Sequence, residues 1–164
     1  RVRERWPVTL HCVGMSLGST DPLDFEHLSR LRALEHRLEP ALVSDHLSWS
    51  SLDGRFLHDL LPLPYLEESI AHISERIARV QDFLGRRIAI ENVSSYATFA
   101  ESELAEWEFL AAVAERADCS ILLDVNNVHV SAVNHGFSAE TYLAALPRER
   151  IAPLHIAGFS AGRC

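Results

Sequence analysis

The sequence predicts an α/β protein of the (β/α) TIM-barrel type, incomplete here at about five of eight βα units. Two observations carry this prediction. Short aliphatic runs alternate with longer amphipathic stretches all along the 164 residues. Each run also ends in a histidine or a carboxylate, and active-site residues of such barrels occupy that end of the strands. An open doubly wound sheet shares the alternation, but no GxGxxG follows a strand, which removes the main support for a dinucleotide-binding sheet.

The runs are Val8-Thr9-Leu10, Ala41-Leu42-Val43, Ile88-Ala89-Ile90, Ile121-Leu122-Leu123 and Ile151-Ala152-Pro153-Leu154. Short, aliphatic runs of this kind read as parallel strands covered on both faces. Between the first two, Phe25, Leu28, Leu31, Leu34 and Leu38 repeat at three and four, with Asp21 as the expected N-cap and Pro22 at the first helical position. Leu66, Ile70, Ile73, Ile77, Val80 and Leu84 form the stripe of a second helix that Gly85 ends. Leu104, Trp107, Leu110 and Val113 mark a third, and Ser138 caps a short fourth that reaches Leu146 before Pro147. Residues 47–64 are a long connection containing Trp49, Phe56 and Leu57, and are read as a substrate lid.

Composition narrows the function. The chain is 48% hydrophobic and 23% charged, as in globular proteins, and no apolar run approaches the ~20 residues of a membrane span. The net charge of −8 without a basic stripe argues against nucleic acid as a partner. Cys12, Cys119 and Cys164 are too sparse for a disulfide framework and lack a CxxC zinc spacing, so reduced thiols are expected. The segment Arg1-Val2-Arg3-Glu4-Arg5 leads into a strand and not into a signal peptide, and a cytoplasmic location is the expectation.

Aligning the strand ends gives His11, Ser44-Asp45-His46, Glu91-Asn92, Asp124-Val125-Asn126-Asn127 and His155. The steps between His11, His46, Glu91, Asp124 and His155 are 35, 45, 33 and 31 residues, each about one βα unit. Any one of these residues has an ordinary structural use, as a hydrogen-bonded histidine or a turn-forming Asp or Asn. Five in register point to a metal site, because clustered ionisable groups are costly to bury unless paired or bound to a metal. Histidine with carboxylate suits iron, zinc or manganese, and Glu91 or Asp124 could bridge two ions. His27, His36, His58 and His72 fall outside this register and are read as solvated or packed; His129 and His135 lie close enough to contribute.

Several segments resemble the MbnB/TglH-like family of multinuclear non-haem iron enzymes. They are Leu10-His11-Cys12-Val13-Gly14, Ser44-Asp45-His46-Leu47-Ser48-Trp49, Leu61-Pro62-Leu63-Pro64, Ile90-Glu91-Asn92-Val93-Ser94-Ser95-Tyr96, Leu123-Asp124-Val125-Asn126-Asn127, Asn134-His135-Gly136-Phe137 and His155-Ile156-Ala157-Gly158. The resemblance runs in order through nearly the whole chain. It implies a TIM-type barrel holding two or three iron ions, with O2 as co-substrate. It also implies oxidation of cysteine residues in a ribosomally made precursor peptide presented by a separate partner protein. His11, His46, Glu91, Asp124 and His155 match family ligand positions, and Glu91 matches the bridge. Asn127 stands where some relatives carry a further histidine ligand. Glu91 and Asp124 are also the expected catalytic groups. By the same resemblance, residues 1–164 are one domain, the central part of a barrel whose first and last strands are absent.

Two other readings stay open at this point. A divalent-metal sugar isomerase or an endonuclease-IV-like hydrolase would use a similar barrel and similar ligands. The first usually places a lysine at a strand end, and this chain has none. The second needs basic residues beside the metals to hold phosphates, whereas these strand ends are acidic and aromatic. A non-enzymatic binding fragment with incomplete ligands is the third reading.

Overall fold

The computed structural model describes residues 3–158; Arg1, Val2 and the thiol expected at Cys164 lie outside the described residues. The elements are β1 (Thr9–His11), α1 (Phe25–Leu38), β2 (Leu42–His46), β3 (Trp49–Leu52), β4 (Arg55–Leu61), α2 (Glu67–Leu84), β5 (Ala89–Glu91), α3 (Glu106–Arg116), β6 (Ser120–Asp124), α4 (Val125–His135), α5 (Ala139–Ala145) and β7 (Ile151–His155). A 3-10 turn, Arg148–Arg150, leads into β7. Five strands make a parallel sheet in the order β1-β2-β5-β6-β7, the expected incomplete TIM-type barrel.

Alternation along the strands assigns the two faces of the sheet. Val43, Ile88, Ile90, Ile121 and Leu123 are buried against the helices. The α2 stripe of Ile70, Ile73, Ile77, Val80 and Leu84 joins them, with Phe109, Leu110 and Val113 of α3. Their neighbours on the other face include His11, Ser44, His46, Glu91 and Asp124, so the strands are not uniformly apolar on both sides.

The structure departs locally from what the sequence predicts. The N-cap of α1 is Asp24, not Asp21: its side chain accepts from the backbone N–H groups of Glu26 and His27. Leu23 is buried in the core, which delays the helix until after it. Asp21 instead accepts the Gly54 N–H at 3.2 Å. Residues 47–64, expected as one long loop connection, contain an antiparallel hairpin, β3 with β4. Its turn is Asp53-Gly54 at φ 52° and 72°, the left-handed pair that a tight hairpin requires. The hairpin is fixed by Ser16 Oγ, which accepts the Ser50 N–H at 2.9 Å, and by the Trp49 indole donating to the Pro62 carbonyl at 2.7 Å. His58, read as loop, lies in β4. Finally, α4 is a helix that periodicity did not show, because Val and Asn dominate its sequence. Its two ends are well marked: Asp124 accepts the Asn127 N–H, and Gly136 closes it at φ 75°.

Candidate metal centre

The parallel register explains how residues so far apart in sequence meet. His11 is level with Ser44, and Ser44 with Ala89. Two residues further on, His46 is level with Glu91, and Glu91 with Leu122. Two further again, Asp124 is level with His155. All five predicted positions therefore share the parity of one face, and they climb about one residue per strand. That is the stagger of an eight-stranded barrel with a shear of eight.

His155 reaches its place through an irregularity. Ile121 pairs with Ile151 but Leu123 pairs with Leu154, so β7 carries one extra residue around Ala152-Pro153. Without this bulge Leu154 would stand beside Asp124 and His155 would face the other way. Pro153 has no N–H to give to a ladder, which suits it to a bulge.

At the centre is Glu91, about 2% exposed. Its Oε2 lies 2.9 Å from His11 Nε2 and 3.3 Å from His46 Nε2. Those two ring nitrogens are 3.2 Å apart. Its Oε1 lies 2.9 Å from His155 Nδ1, which is 3.9 Å from Asp124 Oδ2. Ligand atoms of His11, Glu91 and His155 all fall within 4.8 Å of one another. The carboxylate thus divides its oxygens between two histidine groups.

The donor set fits a transition-metal cation. Glu91 Oε2 is buried with no hydrogen bond of its own, although it faces two imidazoles. A desolvated carboxylate oxygen costs heavily in that state unless a cation completes it. The edges of 2.9, 3.2 and 3.3 Å between Oε2 and the two Nε2 atoms match the ~3.0–3.4 Å separating neighbouring ligands that each stand ~2.1 Å from one ion.

The histidines are oriented by neighbours. Ser44, the cross-strand partner of His11, hydrogen-bonds His11 Nδ1 through its Oγ at 2.8 Å, which turns Nε2 towards Glu91. Buried Asp45 accepts the Met15 N–H on Oδ2 and the His46 N–H on Oδ1, pinning the segment after β1 to β2. Burial lowers the pKa of His11, a shift that the Glu91 charge only partly offsets. Burial opposes the charged form of His46 too, but the Asp45 and Glu91 carboxylates outweigh it and raise its pKa. Cys12 lies beside the centre, its thiol pushed up to about 12 by burial and by Asp45.

Other predicted positions are used differently. Asp124 spends Oδ1 on the α4 cap, accepting the Asn127 N–H at 2.8 Å, which leaves Oδ2 towards His155. Asn127 is not drawn into the cluster: its side-chain amide donates to the Asn92 carbonyl at 2.9 Å. His129 is exposed on α4. His135 Nε2 is bound to Ser95, 2.7 Å from its Oγ and 2.9 Å from its carbonyl oxygen. His72 Nε2 meets the Ser19 carbonyl at 2.8 Å, a packed role.

Sequence reasoning assigned no role to Ser44, Asp45 or Asn92. Asn92 clamps Asp124, accepting its N–H at 2.9 Å and donating to its carbonyl at 3.0 Å. Ser44 could have been found by counting back two residues along β2 from His46, onto the same face. Asn92 lies beyond such counting, because its partner is a backbone 32 residues away.

A sequence profile described as the RiPP precursor modification enzyme family MbnB/TglH/ChrH matches residues 1–164. A UPF0276 protein of Anaeromyxobacter sp. (strain Fw109-5) is 59% identical over 160 residues, covering 98% of this chain and 56% of that protein. One from Acaryochloris marina is 52% identical, covering 97% and 58%, and one from Vibrio parahaemolyticus is 49% identical, covering 97% and 55%. The chain therefore spans little more than half the length of these relatives.

Proposed function

Since this chain belongs to the MbnB/TglH/ChrH family of RiPP precursor modification enzymes, we propose that the whole protein oxidises cysteine residues of a ribosomally made precursor peptide at a centre of two or three iron ions, with O2 as co-substrate and a partner protein presenting the peptide. The observation that carries this reading is the division of Glu91, with Oε2 towards His11 and His46 and Oε1 towards His155. One buried carboxylate with histidines beside both oxygens would be suited to holding more than one ion.

His11, His46, Glu91, Asp124 and His155 would hold the ions; Asn127, turned to the Asn92 carbonyl, would have to reorient to add a contact. When bound, iron would supply a transition-metal partner for the soft cysteine thiolate and redox chemistry with O2. The remaining work falls to the protein. Ser44 sets the face that His11 presents, and Asn92 holds the strand end that carries Asp124. Asp124 keeps Oδ2 free of the helix cap, and so available as a ligand. The buried floor around Glu91 keeps water from its carboxylate.

The test is iron content and peptide turnover of the full-length parent, purified without oxygen. Two or three irons per chain are expected, with iron lost and turnover abolished in Glu91→Ala. A Glu91→Ala protein with full iron and full turnover would overturn the assignment. Zinc or manganese alone after iron-replete expression would move the reading to the isomerase or hydrolase class.

A further inference from the structure

Another carboxyl, largely screened from water, stands apart from the histidine cluster. Glu106 is the first residue of α3. Tyr142 donates its hydroxyl to Glu106 Oε1 at 2.9 Å, and Tyr65 adds another hydrogen bond. Both donors are neutral. The arginines that form ion pairs among the described residues do so with Glu26, Glu35, Glu39, Glu67 and Asp118, not with Glu106. Burial raises the Glu106 pKa to about 7, and the two phenols pull it back only in part.

A cavity beside Glu106 is built largely from rings. Glu106, Tyr65, Trp107 and Phe137 line a cavity of about 190 Å3, with Ser95 and His135 on its wall. Trp107 and Phe137 meet edge to face at 5.4 Å, and Phe137 stacks on Tyr142 at 5.9 Å, so the rings hold one another in place. The volume is below the ~300–1,000 Å3 of pockets that enclose a whole small molecule; it suits one side chain. Aromatic rings attract a cation through their quadrupole, and a carboxylate in a dry setting attracts it more strongly.

We propose that this cavity binds the cationic side chain of a peptide, an arginine or lysine, with Glu106 as counter-ion and Tyr65, Trp107 and Phe137 as walls. Its position ties it to the metal centre: Ser95 lies in the segment that follows Glu91, and His135 ends the helix that Asp124 caps. A basic residue held there fixes a peptide at the flank of the histidine cluster. Taking the cation from a peptide rests on the proposed function; cation binding by the cavity does not.

The test follows the indole N–H resonance of Trp107, assigned with Trp107→Phe, as N-acetyl-lysine N-methylamide or its arginine counterpart is added to the full chain. The expected result is a saturable shift with at least one of the two and none with the uncharged norleucine analogue. Affinity should fall about tenfold or more in Glu106→Gln, the loss expected of a charge-assisted contact. Phe137→Leu supplies a second weakening variant should Glu106→Gln fail to fold. No saturable shift, equal binding of norleucine, or unchanged affinity in a folded Glu106→Gln overturns the proposal. Iron content and cysteine turnover of the parent are read separately, so a cavity that ignores cations in a protein that still holds iron rejects this inference alone.

Discussion

Glu91 faces three imidazoles, whereas Glu106 faces two phenols. The surroundings of Glu106 bear directly on stability. Its pKa rises from 4.5 to about 7 on folding, with burial the main cause. The folded chain therefore holds that proton more tightly than the unfolded chain, and unfolding releases it. Stability contributed by this group is present below pH 4.5 and is lost as pH rises to about 7, by up to roughly 3 kcal/mol. In Glu106→Gln this component should vanish. Urea unfolding of both proteins between pH 4.5 and 8 should show wild type losing ground to the variant as pH rises; parallel profiles would refute the assignment.

The ends of β5 and β6 are joined by side chain to backbone, and this joint sets the angle at which α4 leaves the sheet. Asn92 grips both polar groups of Asp124, while Asp124 caps α4. Replacing Asn92 by Ala removes the partner of a half-buried N–H and carbonyl at the strand end. The expected cost is about 1–3 kcal/mol in urea unfolding. Metal affinity should also fall, by roughly 10–100-fold, although Asn92 touches none of the proposed ligand atoms. A variant with wild-type metal affinity would show that Asp124 does not depend on this clamp. The hairpin β3-β4 is fastened in the same manner, by Ser16 and Trp49, and with Leu63 and His72 it walls an apolar cavity of about 370 Å3.

At the scale of the molecule, the sheet among the described residues ends in two strands with one neighbour each, β1 and β7. Leu154 is 56% exposed and Ile156 78%, so the β7 end also presents apolar side chains. A strand edge with such a surface is a template for pairing with another chain. The 164-residue chain on its own is expected to self-associate, with a sedimentation coefficient that rises with concentration, while a protein of the relatives' full length should not. A chain that stays monomeric over the same range would show that these edges are protected in some other way. No helix of the described residues is long and apolar enough to cross a membrane.

The sequence alone determined the alternation of strands and helices, the incomplete barrel, and the strand-end residues His11, His46, Glu91, Asp124 and His155. Those are local properties: hydrophobic period, strand length, and residue type at a strand end. It also determined the family resemblance, which the profile match over all 164 residues bears out. The hairpin too is written in the sequence, since Asp53-Gly54 is a strong turn signal. Only the tertiary structure decided which atoms meet. The division of the Glu91 oxygens depends on the shear of the sheet, the orientation of His155 on a bulge at Pro153, and the aim of Asp124 on Asn92 and the α4 cap. Apart from the local α4 cap, each is a relation between strands some 30 or more residues apart, and neither periodicity nor spacing within a strand encodes its register against another.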